Sequence, residues 1–147
     1  MKRAGTVPKG FLILFVGIFL LGCKKESTPV IPLNQKIDTS FSKPSSSIGG
    51  FMNGPYGMVT GKARIYLTNG TFQLALSNFS TSNGPDLKVY ISQEQNPVHF
   101  INLGPLKSTT GDQIYDIPTV NNVSSYTYAL IFCQQYQHLF GFTQISY

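Results

Sequence analysis

The sequence predicts an all-β fold, an antiparallel β-sandwich or closed barrel of about seven to eight strands, behind a signal peptide and a flexible tether. Apolar and polar residues alternate with a period of two in short segments of the second half of the chain. Turn-forming pairs such as Asn69-Gly70 and Asn121-Asn122 separate these segments. No helical pattern of useful length lies between them, so a parallel sheet with crossover helices is not expected.

Seven strands are predicted from this alternation. They are 59–67, 72–76, 87–91, 98–103, 113–117, 126–133 and 139–145. Asn69-Gly70 predicts a hairpin between the first two, because both residues tolerate positive φ. The last two strands lie within 117–147, where the sequence has no Asp, Glu, Lys or Arg. Exposed sheet edges are usually guarded by charge, so these two strands are expected to pair with each other inside the sheet.

The beginning of the chain predicts a lipid anchor. A basic start is followed by an apolar run at 11–21, whose helical length of about 16 Å is too short to span a bilayer. Residues 1–22 therefore read as a signal peptide. Leu20-Leu21-Gly22-Cys23 resembles the bacterial lipobox, which implies cleavage before Cys23 and attachment of lipid to its sulfur. The alternative is an ordinary secretory leader.

Two further segments complete the domain organisation. Residues 23–47 are rich in Ser, Thr, Pro and Lys, and they are expected to form a flexible tether of about 25–30 Å between the lipid and the fold. The alternative for 30–33 is packing onto the domain. Residues 48–147 are expected to form one β domain. The lipobox implies a bacterial envelope protein, in the outer membrane, with the periplasmic or surface side undetermined.

The charge of the mature chain excludes nucleic acid as a partner. The whole chain has eleven Lys and Arg against six Asp and Glu, but Lys2, Arg3 and Lys9 belong to the leader. The remainder is nearly balanced and contains no basic patch of the kind that nucleic acid requires.

Cys133 is the candidate reactive residue. Lipidation of Cys23 leaves it as the only thiol, so an intrachain disulfide is not expected. His138 is the nearby group that can become positive, and a thiolate needs such a neighbour. A zinc or copper site needs three or four ligands, and pairing of His138 with His99 has no support in the sequence. The cofactor therefore stays unknown, with haem or metal not excluded, and the alternative is a buried core cysteine.

Several motifs in the second half of the chain are similar to those of the DM13 (DM-thirteen) domain. They are Asn83-Gly84-Pro85-Asp86-Leu87-Lys88-Val89-Tyr90-Ile91-Ser92, Leu103-Gly104-Pro105, Gly111-Asp112-Gln113-Ile114-Tyr115-Asp116-Ile117-Pro118, Ile131-Phe132-Cys133-Gln134-Gln135-Tyr136 and Leu139-Phe140-Gly141-Phe142. The resemblance implies a small extracytoplasmic β domain that carries electrons through a cysteine, which is Cys133 here. Phe132 stands where many members have Trp.

These observations lead to two hypotheses of function. The first is a redox or electron-transfer accessory with Cys133 as thiol or ligand, a partner protein in the envelope, and Tyr115, Tyr128 or Tyr136 as relay rings. Asp86 is either the acid partner of this site or a turn-shaping residue. The second is a non-catalytic binding module with Cys133 in its core. A classical enzyme is not expected, because no nucleophile–base pair or known catalytic motif is found.

Overall fold

The computed structural model describes residues 27–147 and divides them between two β-sheets. This part contains eleven strands and one short 3-10 helix at Val123–Ser125. The strands are β1 (Leu33–Asn34), β2 (Ser42–Pro44), β3 (Gly49–Gly50), β4 (Met52–Asn53), β5 (Val59–Thr68), β6 (Thr71–Thr81), β7 (Leu87–Ser92), β8 (Phe100–Pro105), β9 (Thr110–Asp116), β10 (Tyr128–Cys133) and β11 (His138–Gln144). The predicted sandwich is confirmed, and the barrel is not formed because each sheet keeps its own edges.

The first sheet has six strands in the order β1-β9-β6-β5-β2, and β3 also pairs with β5. Its β1–β9 contact is parallel, whereas its other pairs are antiparallel. The β5–β6 hairpin turns at Asn69 and Gly70, whose φ angles are 48° and 83°. Both lie in the left-handed region that this tight turn requires, so the hairpin prediction is confirmed.

The second sheet has five strands in the order β4-β11-β10-β7-β8. The two charge-free strands, β10 and β11, pair with each other in antiparallel register from Tyr128↔Gln144 to Cys133↔His138, as predicted. β10 is interior, between β11 and β7. β4 pairs with β11 only at Gly141 and Phe142. This edge of the sheet is therefore closed by a strand of only two residues.

Several strand boundaries differ from the predicted ones, among them the end of β6, the start of β8 and the start of β9, which begins at Thr110 and not at Gln113. β6 continues to Thr81, well beyond the predicted end at Leu76, because a bulge at Asn78 (φ 48°) interrupts the alternation and the ladder then resumes at Phe79. β8 begins at Phe100 and not at Val98, whose side chain is 68% exposed in the preceding loop. At the end of β6 and at the start of β8 a local irregularity interrupts the alternation, so the period-two pattern does not show where the strand begins or ends.

The segment 27–47 differs from the expected flexible tether. β1 pairs with β9 at one edge of the first sheet, and β2 pairs with β5 at the other edge. The alternative of packing at 30–33 is confirmed at Leu33, which pairs with Gly111. Strands of two or three residues are too short to produce an alternation, so composition alone pointed to coil.

The main core lies between the sheets, and a smaller cluster lies on the outside of the second sheet. Ala129, Ile131 and Cys133 of β10 face inward, as the alternation predicts. On the opposite side of the sheet, Tyr90, Leu130 and Leu139 are buried together with partly exposed neighbours. We call this group the outer cluster; it consists of Tyr90, Leu130, Leu139, Tyr128, Phe132 and Phe142.

Cys23 and the signal peptide predicted over 1–22 lie outside the described residues. Within 27–147, no helix has both the length and the apolar content needed to cross a membrane.

Candidate functional site

Cys133 lies where β10 ends, at one end of the sandwich. Its register partners are Leu87 at the start of β7 and His138 at the start of β11. Backbone hydrogen bonds bring the neighbouring loops to the same end. We call it the Cys133 end, and it comprises the strap 27–31 and the loops 54–58, 82–86, 106–109 and 134–137.

The sulfur of Cys133 is enclosed. Its residue is 0% exposed, and it belongs to the apolar core between the sheets. The Sγ atom lies 2.9 Å from the carbonyl oxygen of Pro85, to which the thiol donates a hydrogen bond. The sulfur is therefore enclosed under a single turn of chain.

The turn above the sulfur is Gly84-Pro85-Asp86. A Cβ atom at residue 84 would lie 2.6 Å from the ring of Phe140, so only glycine fits there. Asp86 has a φ of 55°, and its backbone oxygen accepts a hydrogen bond from the Gln134 amide at 3.1 Å. These contacts hold the turn against the loop that follows Cys133.

The carboxylate of Asp86 points to a different partner. Its Oδ1 atom forms an ion pair with Lys88 Nζ at 2.7 Å. The backbone contacts of Asp86 agree with the turn-shaping interpretation. Its role as an acid partner of Cys133 stays a prediction.

The strap covers the outside of this turn. Ser27 forms an isolated β-bridge with Pro85, and Asn83 Nδ2 donates to the Thr28 oxygen at 3.2 Å. Pro29 accepts a hydrogen bond from the Thr109 amide at 2.8 Å. Beside it is an open pocket of about 350 Å³; its lining comprises Ser27, Thr28, Pro29, Asp86, Leu87, Lys88, Pro105, Leu106 and Lys107. This pocket is a recess, open to solvent, next to the turn that covers the thiol.

Tyr90 lies in the outer cluster against Phe132, the residue that precedes Cys133 in β10. Burial raises the pKa of the Tyr90 hydroxyl, and the negative charge of the Asp86 carboxylate raises that pKa further. The ring stacks on Phe100 with centroids 4.5 Å apart and contacts Phe132 at 5.4 Å. Phe100 is partly exposed, so this stack reaches the surface on the outer face of the second sheet, the face opposite to that of Cys133.

Tyr90 was not predicted as a site residue. By alternation it lies on the outer face of the sheet, opposite to the inward-facing Leu87 and Val89, and this placement does not suggest a link to the thiol. The signal that could have found it is its position inside the Gly84-Pro85-Asp86 motif segment, four residues after the acid.

Tyr115, a predicted relay ring, lies in a separate buried network. Its hydroxyl donates to Gln113 Oε1 at 2.7 Å and accepts from the Lys107 amide at 2.9 Å. Gln113 Nε2 in turn donates to the Ser108 oxygen at 2.8 Å. Burial raises the pKa of Tyr115 well above its ordinary value. None of these hydrogen bonds involves Cys133.

The other predicted rings are divided between two places. Tyr128 belongs to the outer cluster with Phe132. Tyr136 lies 5.9 Å from the ring of His138, which stacks on Tyr56 with centroids 3.7 Å apart and planes 1° from parallel. Tyr136 is thus a predicted relay ring that does lie at the Cys133 end, in the loop that follows Cys133.

His99 is bound elsewhere. Its Nδ1 atom lies 2.7 Å from Glu94 Oε1, and this hydrogen bond lowers the pKa of the Glu94 carboxyl. His99 therefore belongs to the opposite end of the second sheet from His138. Among residues 27–147, no group of three or more His, Cys, Asp and Glu side chains could hold a metal ion.

Fold and site together define a small β-sandwich domain with one buried thiol under a turn at its end. The model of the electron transfer DM13 family matches residues 51–145, and the chain belongs to this family. The family resemblance of the sequence motifs is thereby confirmed. No curated protein and no solved structure matches the chain.

Proposed function

We propose that this chain is a membrane-anchored electron-transfer accessory of a bacterial envelope, with Cys133 as its redox atom. The observation that carries the proposal is the position of Cys133 in a domain of the electron transfer DM13 family. The thiol lies under one turn, at the end of the sandwich, next to a recess that reaches solvent.

Burial favours one-electron transfer over thiol exchange. Exchange requires an attacking sulfur to reach Sγ, and access is one of the factors that set its rate. Cys133 is 0% exposed and covered by Pro85 and the strap. An electron, in contrast, can leave a buried atom through packed groups without any opening of the fold.

The one-electron step can be written in full. The neutral thiol loses one electron to an oxidised one-electron acceptor in the partner protein, which is thereby reduced. The oxidised sulfur then gives up its proton, which passes along the turn at Pro85 into the recess beside Asp86 and so to solvent. The products are a thiyl sulfur, a reduced partner and a proton in water; re-reduction by an electron donor reverses the step.

The aromatic stack supplies the exit for the electron. Phe132, which precedes Cys133 in β10, contacts the Tyr90 ring with centroids 5.4 Å apart, and that ring lies against the partly exposed Phe100. A partner that docks on the outer cluster therefore meets the stack at its surface end. The predicted relay ring Tyr128 borders the same face, whereas Tyr115 is engaged in its own network.

Voltammetry of the full chain tests this function. The wild-type protein is expected to give a one-electron signal that Cys133→Ser abolishes while the far-ultraviolet circular dichroism spectrum is kept. Ile131→Val is the matched control, since Ile131 is also 0% exposed on the same face of β10. Tyr90→Phe is expected to slow electron transfer and leave the sulfur oxidisable. An unchanged signal in Cys133→Ser would refute the proposal.

A second candidate function is a non-catalytic binding module. It is favoured by the complete burial of Cys133 in the core and by an open depression of about 270 Å³ on the outer face. The depression is lined by Tyr90, Pro97, Phe100, Phe132, Gln134 and Gln137. A wild-type chain that gives no one-electron signal, and whose thiol reacts with maleimide only after denaturation, would select this alternative.

The anchor is part of the proposal. The Leu20-Leu21-Gly22-Cys23 sequence supports processing before Cys23 and lipidation of its sulfur. Two or more acyl chains hold a protein on a membrane stably. The mass of the mature amino-terminal peptide tests this, and Cys23→Ser is expected to release the protein into the soluble fraction. A wild-type peptide without lipid would remove the anchor from the proposal.

A further inference from the structure

The strap leaves a very short free link between the proposed lipid and the fold. Ser27 is already fixed by its β-bridge to Pro85, and Thr28 and Pro29 are held by hydrogen bonds to Asn83 and Thr109. From Cys23 to Ser27 the chain can span at most about 14 Å. A tether that was free up to residue 47 would hold the domain well away from the membrane, whereas this one holds the Cys133 end close to it. This inference rests on the proposed lipidation of Cys23.

The same end exposes apolar and aromatic side chains. On the strap itself, Val30 is 62% and Ile31 is 74% exposed. Exposed side chains of the adjoining loops are Tyr56, Met58 and Tyr136. Aliphatic side chains gain from leaving water, and tyrosine is enriched where a protein meets the membrane interface. The chemistry of this surface therefore matches the boundary between lipid headgroups and acyl chains.

Charge at this end is also compatible with a bilayer. Lys24, Lys25 and Glu26 lie between Cys23 and the strap and together carry a net charge of +1, and Lys107 lines the recess. Basic residues next to a membrane are attracted to anionic headgroups. The carboxylate of Asp86, the acidic group in this recess, is paired with Lys88 and so presents little free negative charge.

The opposite end of the sandwich has mainly polar loops, although it also exposes Phe41, Val98 and Tyr147. Its loops contain 93–97 and 118–127, which are mainly polar, and the Asn69-Gly70 hairpin turn. Val98 lies at this end and is exposed to a similar extent as Ile31. The two residues thus form a matched pair of exposed aliphatic positions at the two ends of one rigid fold.

We propose that the Cys133 end is seated on the lipid bilayer, with Val30 and Ile31 inserted into the interface. The strands then run away from the membrane surface, and the outer cluster faces in a direction parallel to the membrane plane. The occupant of this surface is the bilayer itself.

The chain contains no tryptophan, so a single introduced one reports on its own position. The test uses the full lipidated chain with Ile31→Trp or, as the control, Val98→Trp. Each is placed in vesicles of phosphatidylethanolamine with a minority of phosphatidylglycerol, with or without brominated acyl chains. Both substitutions are at exposed positions, where a change of side chain is well tolerated.

Seating on the bilayer predicts opposite behaviour of the two variants. Ile31→Trp should emit at shorter wavelength, lose most of its intensity in brominated vesicles and resist quenching by iodide, whereas Val98→Trp should do none of these. Adding Val30→Asp to Ile31→Trp should return its emission towards that of a water-exposed indole. Two indoles equally open to iodide, on a chain that remains anchored, would overturn the seating alone.

Other outcomes are equally decisive. A lipidated chain whose Ile31→Trp indole is buried only when envelope proteins are added would show that a protein partner, and not lipid, covers this end, which overturns the seating. A chain that carries no lipid at Cys23 by mass spectrometry overturns the anchor and the seating together. The two failures are therefore distinguishable.

Discussion

Gln113 and Cys133 are both buried polar residues at 0% exposure, but they are held in very different ways. Gln113 takes part in three hydrogen bonds, with both backbone groups of Ser108 and with the hydroxyl of Tyr115. Cys133 makes one bond, from a weakly donating thiol to the Pro85 carbonyl. The stability of the Gln113 network depends on each of its hydrogen-bonding groups. The stability contributed by Cys133 depends mainly on the volume that its sulfur fills in the core.

This difference indicates which of the two centres is free to change its chemical state. A buried network that loses one member leaves its partners unsatisfied, and this costs more than the lost bond itself. A thiol in an apolar pocket can lose a hydrogen with only one weak bond affected. The comparison therefore assigns a structural role to the Gln113 network and leaves Cys133 available for redox chemistry.

The largest effect is expected from Gln113→Leu. It leaves the Ser108 backbone groups and the Tyr115 hydroxyl without their partner, at about 1–3 kcal/mol for each unsatisfied group. The free energy of unfolding, measured with urea, should fall by about 3–5 kcal/mol. The control Gln73→Ala removes an exposed hydrogen bond to Asp116 in the same sheet and should change it by less than about 0.5 kcal/mol. A loss for Gln113→Leu no greater than that of the control would contradict the structural role of the Gln113 network.

A smaller effect is expected from Tyr115→Phe, which removes a hydroxyl with two hydrogen bonds but keeps the ring. The expected loss of unfolding free energy is about 1–2 kcal/mol. Tyr66→Phe, on a partly exposed ring of the same sheet, is the matched control and should be nearly neutral. Equal losses in both variants would show that Tyr115 does not depend on its network.

The pH dependence of the free energy of unfolding also tests the burial of the Tyr115 hydroxyl. Burial raises the pKa of Tyr115 in the folded chain, whereas the unfolded chain titrates at about 10. Above that pH the unfolded state loses a proton that the folded state keeps, so stability is full below about pH 10 and falls as pH rises further. The slope due to one such group is at most about 1.4 kcal/mol per pH unit. Urea titrations should give a shallower fall for Tyr115→Phe; an identical fall would contradict the burial of its hydroxyl.

Tyr147 extends this prediction to the carboxyl-terminal end. Burial raises the pKa of Tyr147 to about 12, so its contribution to stability should decline between pH 10 and 12. Because its side chain is partly exposed, Tyr147→Phe should flatten the profile less than Tyr115→Phe does. The reverse order would contradict the assignment.

Cys133→Ala is expected to cost only about 1 kcal/mol, because it removes one sulfur and leaves a small cavity. The melting temperature and the urea midpoint measure this change. A loss as large as that of Gln113→Leu would instead mark the thiol as a structural element and favour the binding-module function.

The smallest effect is expected from Asp86→Asn. Asparagine also adopts positive φ, and the lost ion pair with Lys88 is partly exposed, so stability should change by less than about 1 kcal/mol. Voltammetry of the same variant separates the two interpretations of Asp86. An unchanged one-electron signal fits the turn-shaping role, and a lost signal with intact stability would make Asp86 the acid partner.

Alternation was sufficient to predict the face and the strand of Cys133, because a period of two assigns every residue of β10 once its direction is known. The Asn69-Gly70 turn was predictable for a similar local reason. The pairing of 27–47 was not predictable, since strands of two residues contain no pattern. The raised pKa of Tyr90 was also hidden, because it depends on the packing and the charge that the folded chain places around its hydroxyl.

The pairing of β1 with β9 and of β4 with β11 has a consequence for biogenesis. The strands that close these edges come early in the chain, but their partners come late. Almost the whole chain must therefore be synthesised before these edges of the sheets can close, and such distant pairings form slowly. Until β4 pairs with β11, the uncharged β10–β11 pair has an unprotected edge, and this makes it the region of the domain most prone to association with other chains.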